Sequence, residues 1–285
     1  MYQKYYGFTV EPFGMSASED SLFLHKSFKK AMSYLLYVLQ NGEGMIMITG
    51  ESGVGKTRLI ENLKVEANDP QMPITVVDCT HLLGEDLLEY YLEGLGAKPG
   101  ESASRALNVS MIRQILTDLR KDKQSVLVLD NAHLLSKESL EIVHMLHNMN
   151  SNGLPLVQIV LIGQSSLREV MLSPCHEQLH QRLIATCNIE SLDQKESRDY
   201  VTLKLKAAGW TNSNPAISEK VYGVIYSSSL GVPRWIDLIS SRMLLNGMAS
   251  DKQEITLEDA CEVVQDLISE DLLPDQVRLM AQKAA

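Results

Sequence analysis

Short runs of apolar and β-branched residues alternate along most of the chain with longer segments whose apolar residues recur every three or four positions. The short runs predict buried strands, and the longer segments predict amphipathic helices. We place the strands near 45–49, 74–78, 125–130, 156–163 and 185–189, and the helices at 27–41, 55–63, 84–95, 105–121, 136–149 and 165–172. Because strands and helices alternate, this part of the chain is predicted to form a five-stranded parallel sheet with helices on both faces.

The apolar pattern changes near residue 191, where the predicted strands stop. Helices are predicted at 193–208, 216–229, 232–247 and 256–268. We therefore divide the chain into an aromatic N-terminal arm, an α/β domain, a helical lid subdomain and a tail, at 1–26, 27–191, 192–273 and 274–285. The arm is rich in Tyr and Phe, so we expect it to pack on a neighbouring surface, either of the same subunit or of the next one.

One stretch after the first predicted strand carries a specific chemical signature. It has the pattern Gly-x-x-x-x-Gly-Lys-Thr, in which glycines let backbone N–H groups turn inward around an anion at the start of a helix. In such a phosphate loop, the lysine reaches the β- and γ-phosphates and the threonine hydroxyl binds Mg²⁺. We assign nucleotide binding to Gly50, Glu51, Ser52, Gly53, Val54, Gly55, Lys56, Thr57 and Arg58.

The third predicted strand ends in a carboxylate, Asp130. An acid at the end of a buried parallel strand can hold the Mg²⁺ shell opposite Thr57, which would make Thr57 and Asp130 the protein ligands of Mg²⁺. The alternative is that Asp130 simply caps the helix that follows. Beside an intact phosphate loop, the metal role is favoured.

Composition excludes several classes of protein. The four cysteines form no Cys-x-x-Cys pair, which argues against a zinc site and a disulfide framework and favours a reducing, cytoplasmic location. No apolar run approaches the ~18 residues that span a bilayer, and the first residues do not form a secretory signal peptide. The net charge of −10 argues against a surface broadly committed to nucleic acid.

Several motifs along the chain together resemble one known family. They are Tyr5-Tyr6-Gly7-Phe8, Glu11-Pro12-Phe13, the phosphate loop, Val160–Arg168, Gln181-Arg182-Leu183 and Gly231-Val232-Pro233-Arg234-Trp235-Ile236. The chain resembles the ExeA/GspA-type AAA+ ATPases, which include MshM-like pilus proteins and ATPases encoded with exopolysaccharide and PEP-CTERM export systems. The resemblance implies an AAA+ P-loop NTPase fold with a helical lid, and ATP and Mg²⁺ as ligands.

The same resemblance implies roles for three further residues. Arg234 would be the second sensor, reaching the γ-phosphate from the lid. Arg182 would be an arginine finger offered to the nucleotide of a neighbouring subunit, so that the site lies between the subunits of a homo-oligomer; otherwise it is a surface arginine. Gln164 would be the first sensor, which orients water; otherwise it is a polar residue at a strand end.

One residue departs from the family pattern. The family usually has Asp-Glu where this chain has Asp130-Asn131. The missing glutamate would act as general base, and losing a general base costs roughly 10²–10⁴ in rate. Either the protein binds ATP and hydrolyses it slowly or not at all, or another acid substitutes. Asp78, which ends the second predicted strand, is the nearest candidate; otherwise it is an ordinary helix-capping or strand-end acid.

By resemblance, we expect a secretion, pilus or exopolysaccharide-export ATPase that couples ATP binding to assembly of an envelope machine. It would act in the cytoplasm, or peripherally at the inner membrane through a membrane-bound partner. One alternative is a non-hydrolysing scaffold gated by nucleotide. Another is a DNA-associated transposition regulator like TnsC, which the acidic composition disfavours.

Overall fold

The structure is a computed structural model that describes residues 1–14, 22–42, 44–67, 72–84, 86–98, 104–119, 125–151 and 153–277. The chain divides into two compact units. One is Lys26–Glu190, called here the α/β unit. The other, called the helical unit, joins Met1–His25 to Ser191–Ala285. The chain therefore passes from one unit to the other twice.

The described chain begins with α1 (Tyr2–Tyr6) in the helical unit and α2 (Lys26–Asn41) in the α/β unit. The α/β unit continues with β1 (Met45–Gly50), α3 (Lys56–Glu66), β2 (Ile74–Asp78), α4 (Asp86–Gly94), α5 (Arg105–Leu119), β3 (Ser125–Asp130), α6 (Lys137–His147), β4 (Asn150–Ser151), β5 (Leu154–Pro155), β6 (Val157–Gly163), α7 (Ser166–Leu172), α8 (Glu177–His180) and β7 (Leu183–Ile189). Of the helices described in either unit, none is long and apolar enough to cross a membrane.

Five strands form one parallel sheet in the order β2-β3-β6-β1-β7. This confirms the predicted five-stranded parallel sheet. Every residue of β1 and β6 is buried, which requires cover on both faces. Alternate residues such as Met45 and Met47 join a core with α4, α5, α6 and α7. The sheet is therefore the middle layer of the unit.

The α/β unit differs from the predicted elements in small ways. Helix α4 is shorter at both ends than the predicted 84–95, and β7 begins two residues before the predicted 185. The antiparallel pair β4 and β5 was not predicted. Neither were α8 and two short 3-10 helices at Ala132–Leu134 and Pro174–His176. Elements of two to four residues are too short to show a hydrophobic period.

The helical unit contains α9 (Gln194–Ala207), β8 (Ala216–Ile217), α10 (Glu219–Ser229), α11 (Pro233–Ala249), β9 (Glu254–Ile255) and α12 (Leu257–Ser269). The prediction that strands stop after residue 191 is wrong, because β8 and β9 pair in parallel. The helix predicted at 216–229 accordingly begins only at Glu219. Main-chain bonds from Ala216 N–H to the Gln253 carbonyl (2.9 Å) and from Ser218 N–H to the Ile255 carbonyl (3.2 Å) hold this pair.

The described residues 1–14 and 22–25 of the predicted N-terminal arm belong to the helical unit. Tyr2, Tyr6, Phe8 and Phe13 are all buried in a core that includes residues of α9, α10, α11 and α12. The Tyr2 hydroxyl donates to Glu11 Oε1 at 2.9 Å, within the arm itself. Burial of these large aromatic side chains holds the arm against the helices of its unit. Residues 15–21 of the predicted arm lie outside the described residues.

Gly231 precedes α11 at a point where only glycine fits. Its φ is +71°, and a Cβ built there would lie 1.9 Å from the Leu192 carbonyl oxygen. The Gly231 carbonyl in turn accepts a hydrogen bond from Leu192 N–H at 2.8 Å. The close approach therefore joins the first residues of the C-terminal segment to the turn before α11.

We expect Gly231→Ala to destabilise the protein by about 2 kcal/mol or more, because the new Cβ combines left-handed strain with a clash against main chain. Gly223→Ala is the matched control, since Gly223 lies inside α10 and a Cβ there meets nothing within 4 Å. That control should be neutral or stabilising by up to ~1 kcal/mol. Urea unfolding of both variants measures the difference, and equal midpoints would contradict this account.

Candidate nucleotide-binding site

The predicted phosphate loop connects β1 to α3 at the carboxyl edge of the sheet. Gly55 occupies the position before α3 with φ +103°. A Cβ on Gly50 would lie 2.7 Å from the Ile189 carbonyl oxygen, on the neighbouring strand β7. Buried Val54 anchors the loop from inside. The loop is thus held against the sheet with its main chain wrapped around the start of a helix, which is a ready anion site.

Lys56 is the cation at the centre of this loop. The residue is 9% exposed. The ammonium Nζ donates to the carbonyl oxygens of Gly50 at 2.8 Å and Glu51 at 2.9 Å. Burial lowers the pKa of Lys56, and the nearby charges of Asp130 and Glu51 oppose that shift. The loop therefore positions a desolvated cation where a polyphosphate would be bound.

The remaining residues assigned to nucleotide binding lie around the rim. Ser52 and Thr57 are exposed. Glu51 Oε1 accepts a hydrogen bond from Ser165 Oγ at 2.9 Å. Arg58, in the first turn of α3, pairs with Glu61 at 2.9 Å. Arg58 thus has an acidic neighbour on its own helix.

Asp130 ends β3 half-buried at the same edge of the sheet. Burial raises the pKa of its carboxyl, while the charge of Lys56 acts to lower it, so the two groups are electrostatically coupled. The alternative that Asp130 caps the following helix is wrong. Ser136 Oγ caps α6 by accepting from Ser139 N–H at 3.1 Å, whereas Asp130 Oδ1 accepts from Asn131 N–H at 2.9 Å.

Asn131 follows with φ +55°. Its amide nitrogen Nδ2 donates to Asp78 Oδ1 at 3.0 Å and to Thr80 Oγ1 at 3.3 Å. Asp78 Oδ1 also accepts from the Thr80 hydroxyl at 2.7 Å and the Thr80 N–H at 3.0 Å. The hydrogen bonds from Asn131 and Thr80 hold the pKa of Asp78 below its usual range. The Asn131 amide is therefore fixed beside the ionised carboxylate of Asp78, on the neighbouring strand β2.

The sequence analysis had named Asp78 but missed Thr80. A threonine two residues after a strand-end aspartate is a recognisable local signal for this hydrogen bond. An aspartate carboxylate readily accepts from the backbone N–H two residues later.

Gln164 follows β6 and is exposed at the same edge. Its main-chain N–H donates to His133 Nδ1 at 3.4 Å. Burial lowers the pKa of His133, which favours the neutral ring that can accept this bond. Ser165, the next residue, was missed in the sequence analysis although it contacts the phosphate loop through Glu51.

Arg182 lies at the opposite edge of the sheet. It immediately precedes β7, and its carbonyl accepts from Met45 N–H, at the first residue of β1. Since β1 has six residues, about 20 Å of strand separates this edge from the phosphate loop. Arg182 is exposed and lines a pocket of about 360 Å³ with His144, Gln178 and Gln181. It is therefore not brought to the phosphate loop of its own subunit.

Arg234 belongs to the helical unit. It is exposed in the first turn of α11, directly after Pro233, with its guanidinium carbon 6.0 Å from the Trp235 ring centre. Pro233 suits this position because the first turn of a helix needs no N–H from it. The second-sensor role of Arg234 stays a prediction.

The donor set at the carboxyl edge fits a magnesium nucleotide. Within the described ranges, no group of three or more His, Cys, Asp or Glu side chains could hold a metal ion by itself. Mg²⁺ typically takes one or two protein oxygens and completes its shell with phosphate oxygens and water. The Thr57 hydroxyl and the Asp130 carboxylate are suitable oxygen donors. Bound there, Mg²⁺ would neutralise phosphate charge.

The chain is similar in sequence to known proteins. Residues 39–171 match a family described as an AAA domain. The chain is 30% identical over 264 residues to General secretion pathway protein A of Aeromonas hydrophila, covering 91% of this chain and 47% of that protein. The chain thus spans about half the length of this relative.

Solved structures share the fold. Cdc6p of Pyrobaculum aerophilum superposes with a TM-score of 0.72 at 16% identity, covering 91% of this chain and 72% of that one. The RuvB branch migration motor of Thermotoga maritima superposes with a TM-score of 0.61 at 16% identity, covering 92% and 75%. At these identities the likeness is one of fold. The AAA-domain match and the 30% identity to General secretion pathway protein A over 91% of this chain support membership of the ExeA/GspA-type AAA+ ATPases.

Proposed function

We propose that this chain binds ATP with Mg²⁺, hydrolyses it slowly, and uses the bound nucleotide to control assembly of an envelope machine. The observation that carries the proposal is the pairing of a complete phosphate loop with Asn131 in place of an acid. Lys56 is held in the loop by the Gly50 and Glu51 carbonyls, and Asn131 Nδ2 is bound to Asp78. The site supports binding more strongly than rapid turnover.

Each residue has a definite task in this proposal. Lys56 exchanges its two carbonyl partners for phosphate oxygens, and the loop N–H groups surround the phosphates. Gln164 and Asn131 can orient a water molecule, because an amide oxygen accepts a hydrogen bond. An amide is nevertheless a poor proton acceptor, so water activation at position 131 is weak.

We further propose a homo-oligomer in which the nucleotide lies between subunits. Arg182 is exposed at the edge of the sheet opposite the phosphate loop, so its guanidinium suits a contact with the nucleotide of a neighbouring copy. A guanidinium is permanently charged and forked, which matches phosphate oxygens. The exposed Arg234 would read the γ-phosphate from the helical unit.

The similarity to General secretion pathway protein A supports the proposed envelope role. We propose a cytoplasmic protein that acts at the inner membrane through a membrane-bound partner of a secretion, pilus or exopolysaccharide system. Several fold neighbours are DNA-associated, including Drosophila ORC bound to DNA at a TM-score of 0.70, 15% identity, and coverage of 94% of this chain and 66% of that one. A DNA role is not proposed, because the net charge of −10 opposes it.

Lys56→Ala should weaken ATP binding about 100-fold, because a buried charge-assisted contact worth about 3 kcal/mol is lost. Titration with a fluorescent ATP analogue in Mg²⁺ measures this affinity. Lys64→Ala, an exposed lysine on the same helix α3, should bind ATP as the wild type does. Equal affinities for the two variants would contradict the nucleotide assignment.

Asn131→Glu should raise ATP turnover about tenfold or more, since it places a proton acceptor beside Asp130. In Asn131→Gln, the new side chain is as long as that of glutamate but carries no charge, so this variant should not turn over ATP faster than the wild type. Phosphate release at saturating ATP measures both. The slow-hydrolysis proposal fails if the wild type already turns over at about 1 s⁻¹ or faster and Asn131→Glu changes nothing. ATP binding with no phosphate release from any variant would favour the non-hydrolysing scaffold.

Arg182→Ala should bind ATP normally but lose turnover, because its role is played in a neighbouring site. Mixing it with Lys56→Ala should recover part of the activity, since mixed oligomers contain sites with an intact phosphate loop and an intact Arg182. Arg113→Ala, an exposed arginine of α5, serves as control and should behave as the wild type. A mixture no more active than its separate components would argue against a shared site.

A further inference from the structure

We propose that Asp78 is the carboxylate that accepts the proton of the attacking water when this chain hydrolyses ATP. This inference rests on the proposed function and deepens it, because it names the residue responsible for the slow turnover. In this account, the acid stands at the end of β2, as Asp78, and an amide, Asn131, stands after β3, where the family usually has the acid.

Sheet topology places Asp78 at the correct edge. Strands β2 and β3 are neighbours and parallel, and Asp78 lies directly opposite Asp130 in their register. Adjacent strands are about 4.8 Å apart. The Asp78 carboxylate is therefore one strand further from the phosphate loop than Asp130, close to the side chain that follows Asp130.

Hydrogen bonding fixes how the carboxylate is presented. Asn131 Nδ2 donates to Asp78 Oδ1 at 3.0 Å, and the Thr80 hydroxyl donates to the same oxygen at 2.7 Å. In the described parts of the chain, neither Asp78 Oδ2 nor Asn131 Oδ1 has a hydrogen-bond partner. One oxygen of Asp78 is thus anchored while the other is open, and Asn131 offers an acceptor to the same water.

The other acids near the loop are less suited to the task. Asp130 is the proposed metal ligand, and its Oδ1 already accepts from Asn131 N–H. Glu51 belongs to the phosphate loop and accepts from Ser165 Oγ at 2.9 Å. Asp78 is exposed and is bound directly to the residue that occupies the usual position of the base. It is the acid that the geometry selects.

In the proposed step, bonds are made and broken at the γ-phosphorus. Water oxygen forms a bond to the γ-phosphorus while its proton passes to Asp78 Oδ2, directly or through one intervening water. The bond between the γ-phosphorus and the β,γ-bridging oxygen breaks, and its electron pair leaves with ADP. The proton then returns to the phosphate product, which regenerates the carboxylate. Because Asp78 is stabilised as an anion by its hydrogen bonds, it is a weak base and the step is slow.

The test compares Asp78→Asn in two backgrounds, wild type and Asn131→Glu. In the wild-type background, Asp78→Asn should lower turnover about 100-fold while leaving the affinity for ATP within about threefold, as for loss of a general base. In the Asn131→Glu background, Asp78→Asn should not lower turnover, because the acid now stands at 131 and the amide at 78. A purely structural role would lower turnover in both backgrounds.

Two further measurements separate chemistry from folding. Thermal unfolding with and without ATPγS should show the same nucleotide stabilisation for Asp78→Asn as for the wild type. Asp86→Asn is the matched control, since the Asp86 carboxylate accepts from Leu83 N–H at 3.0 Å at the start of α4 and has no role at the site. It should turn over as the wild type does.

The outcomes are distinguishable. Wild-type turnover in Asp78→Asn, or a double variant that binds ATP yet is as inactive as Asp78→Asn, would overturn the inference. Binding of ATP by the wild type without measurable hydrolysis would also overturn it while leaving the binding role intact. Failure of the wild type to bind ATP would overturn the proposed function itself, and this inference with it.

Discussion

The parallel direction of five strands is the constraint on which the site depends. Because β1, β2, β3 and β6 run the same way, the residues that follow them meet at one edge of the sheet. The phosphate loop, Asp78, Asp130 and Gln164 come from four separate parts of the chain and share that edge for this reason. Complete burial of β1 and β6 holds the register by which these ends are aligned.

Charge is distributed unevenly along that edge. The Lys56 ammonium and the Asp130 carboxyl are both partly desolvated, so the pKa of Lys56 is lowered and that of Asp130 is raised. Asp78 is exposed and accepts three hydrogen bonds, so its pKa is lowered. Burial is thus the main cause of the pKa shifts of Lys56 and Asp130, which lie nearest the proposed phosphate site. Hydrogen bonding is the main cause of the pKa shift of Asp78, on the outer strand β2. This contrast is consistent with the proposed slow hydrolysis.

The two ends of the chain build one unit around a shared aromatic core. Tyr2 and Tyr6 of α1 are buried with side chains of α11 and α12, and the Tyr5 hydroxyl donates to Asp251 at 2.7 Å. Lys204 and Asp237 form a partly buried ion pair within the same unit at 2.7 Å. The α/β unit is therefore inserted between two segments that fold together. Large buried aromatic side chains stabilise this packing of two segments that are far apart in the sequence.

The sequence by itself determined the parallel sheet, the phosphate loop and the family resemblance, because the strands are continuous apolar runs and the loop has fixed residues at fixed spacing. Local pattern could not determine the pairing of Ala216–Ile217 with Glu254–Ile255, since two-residue strands have no period. It also could not place the Asn131 amide on Asp78, which is 53 residues away along the chain. Only the alignment of neighbouring strands brings that amide and that acid together, because β2 and β3 are hydrogen-bonded neighbours with Asp78 opposite Asp130.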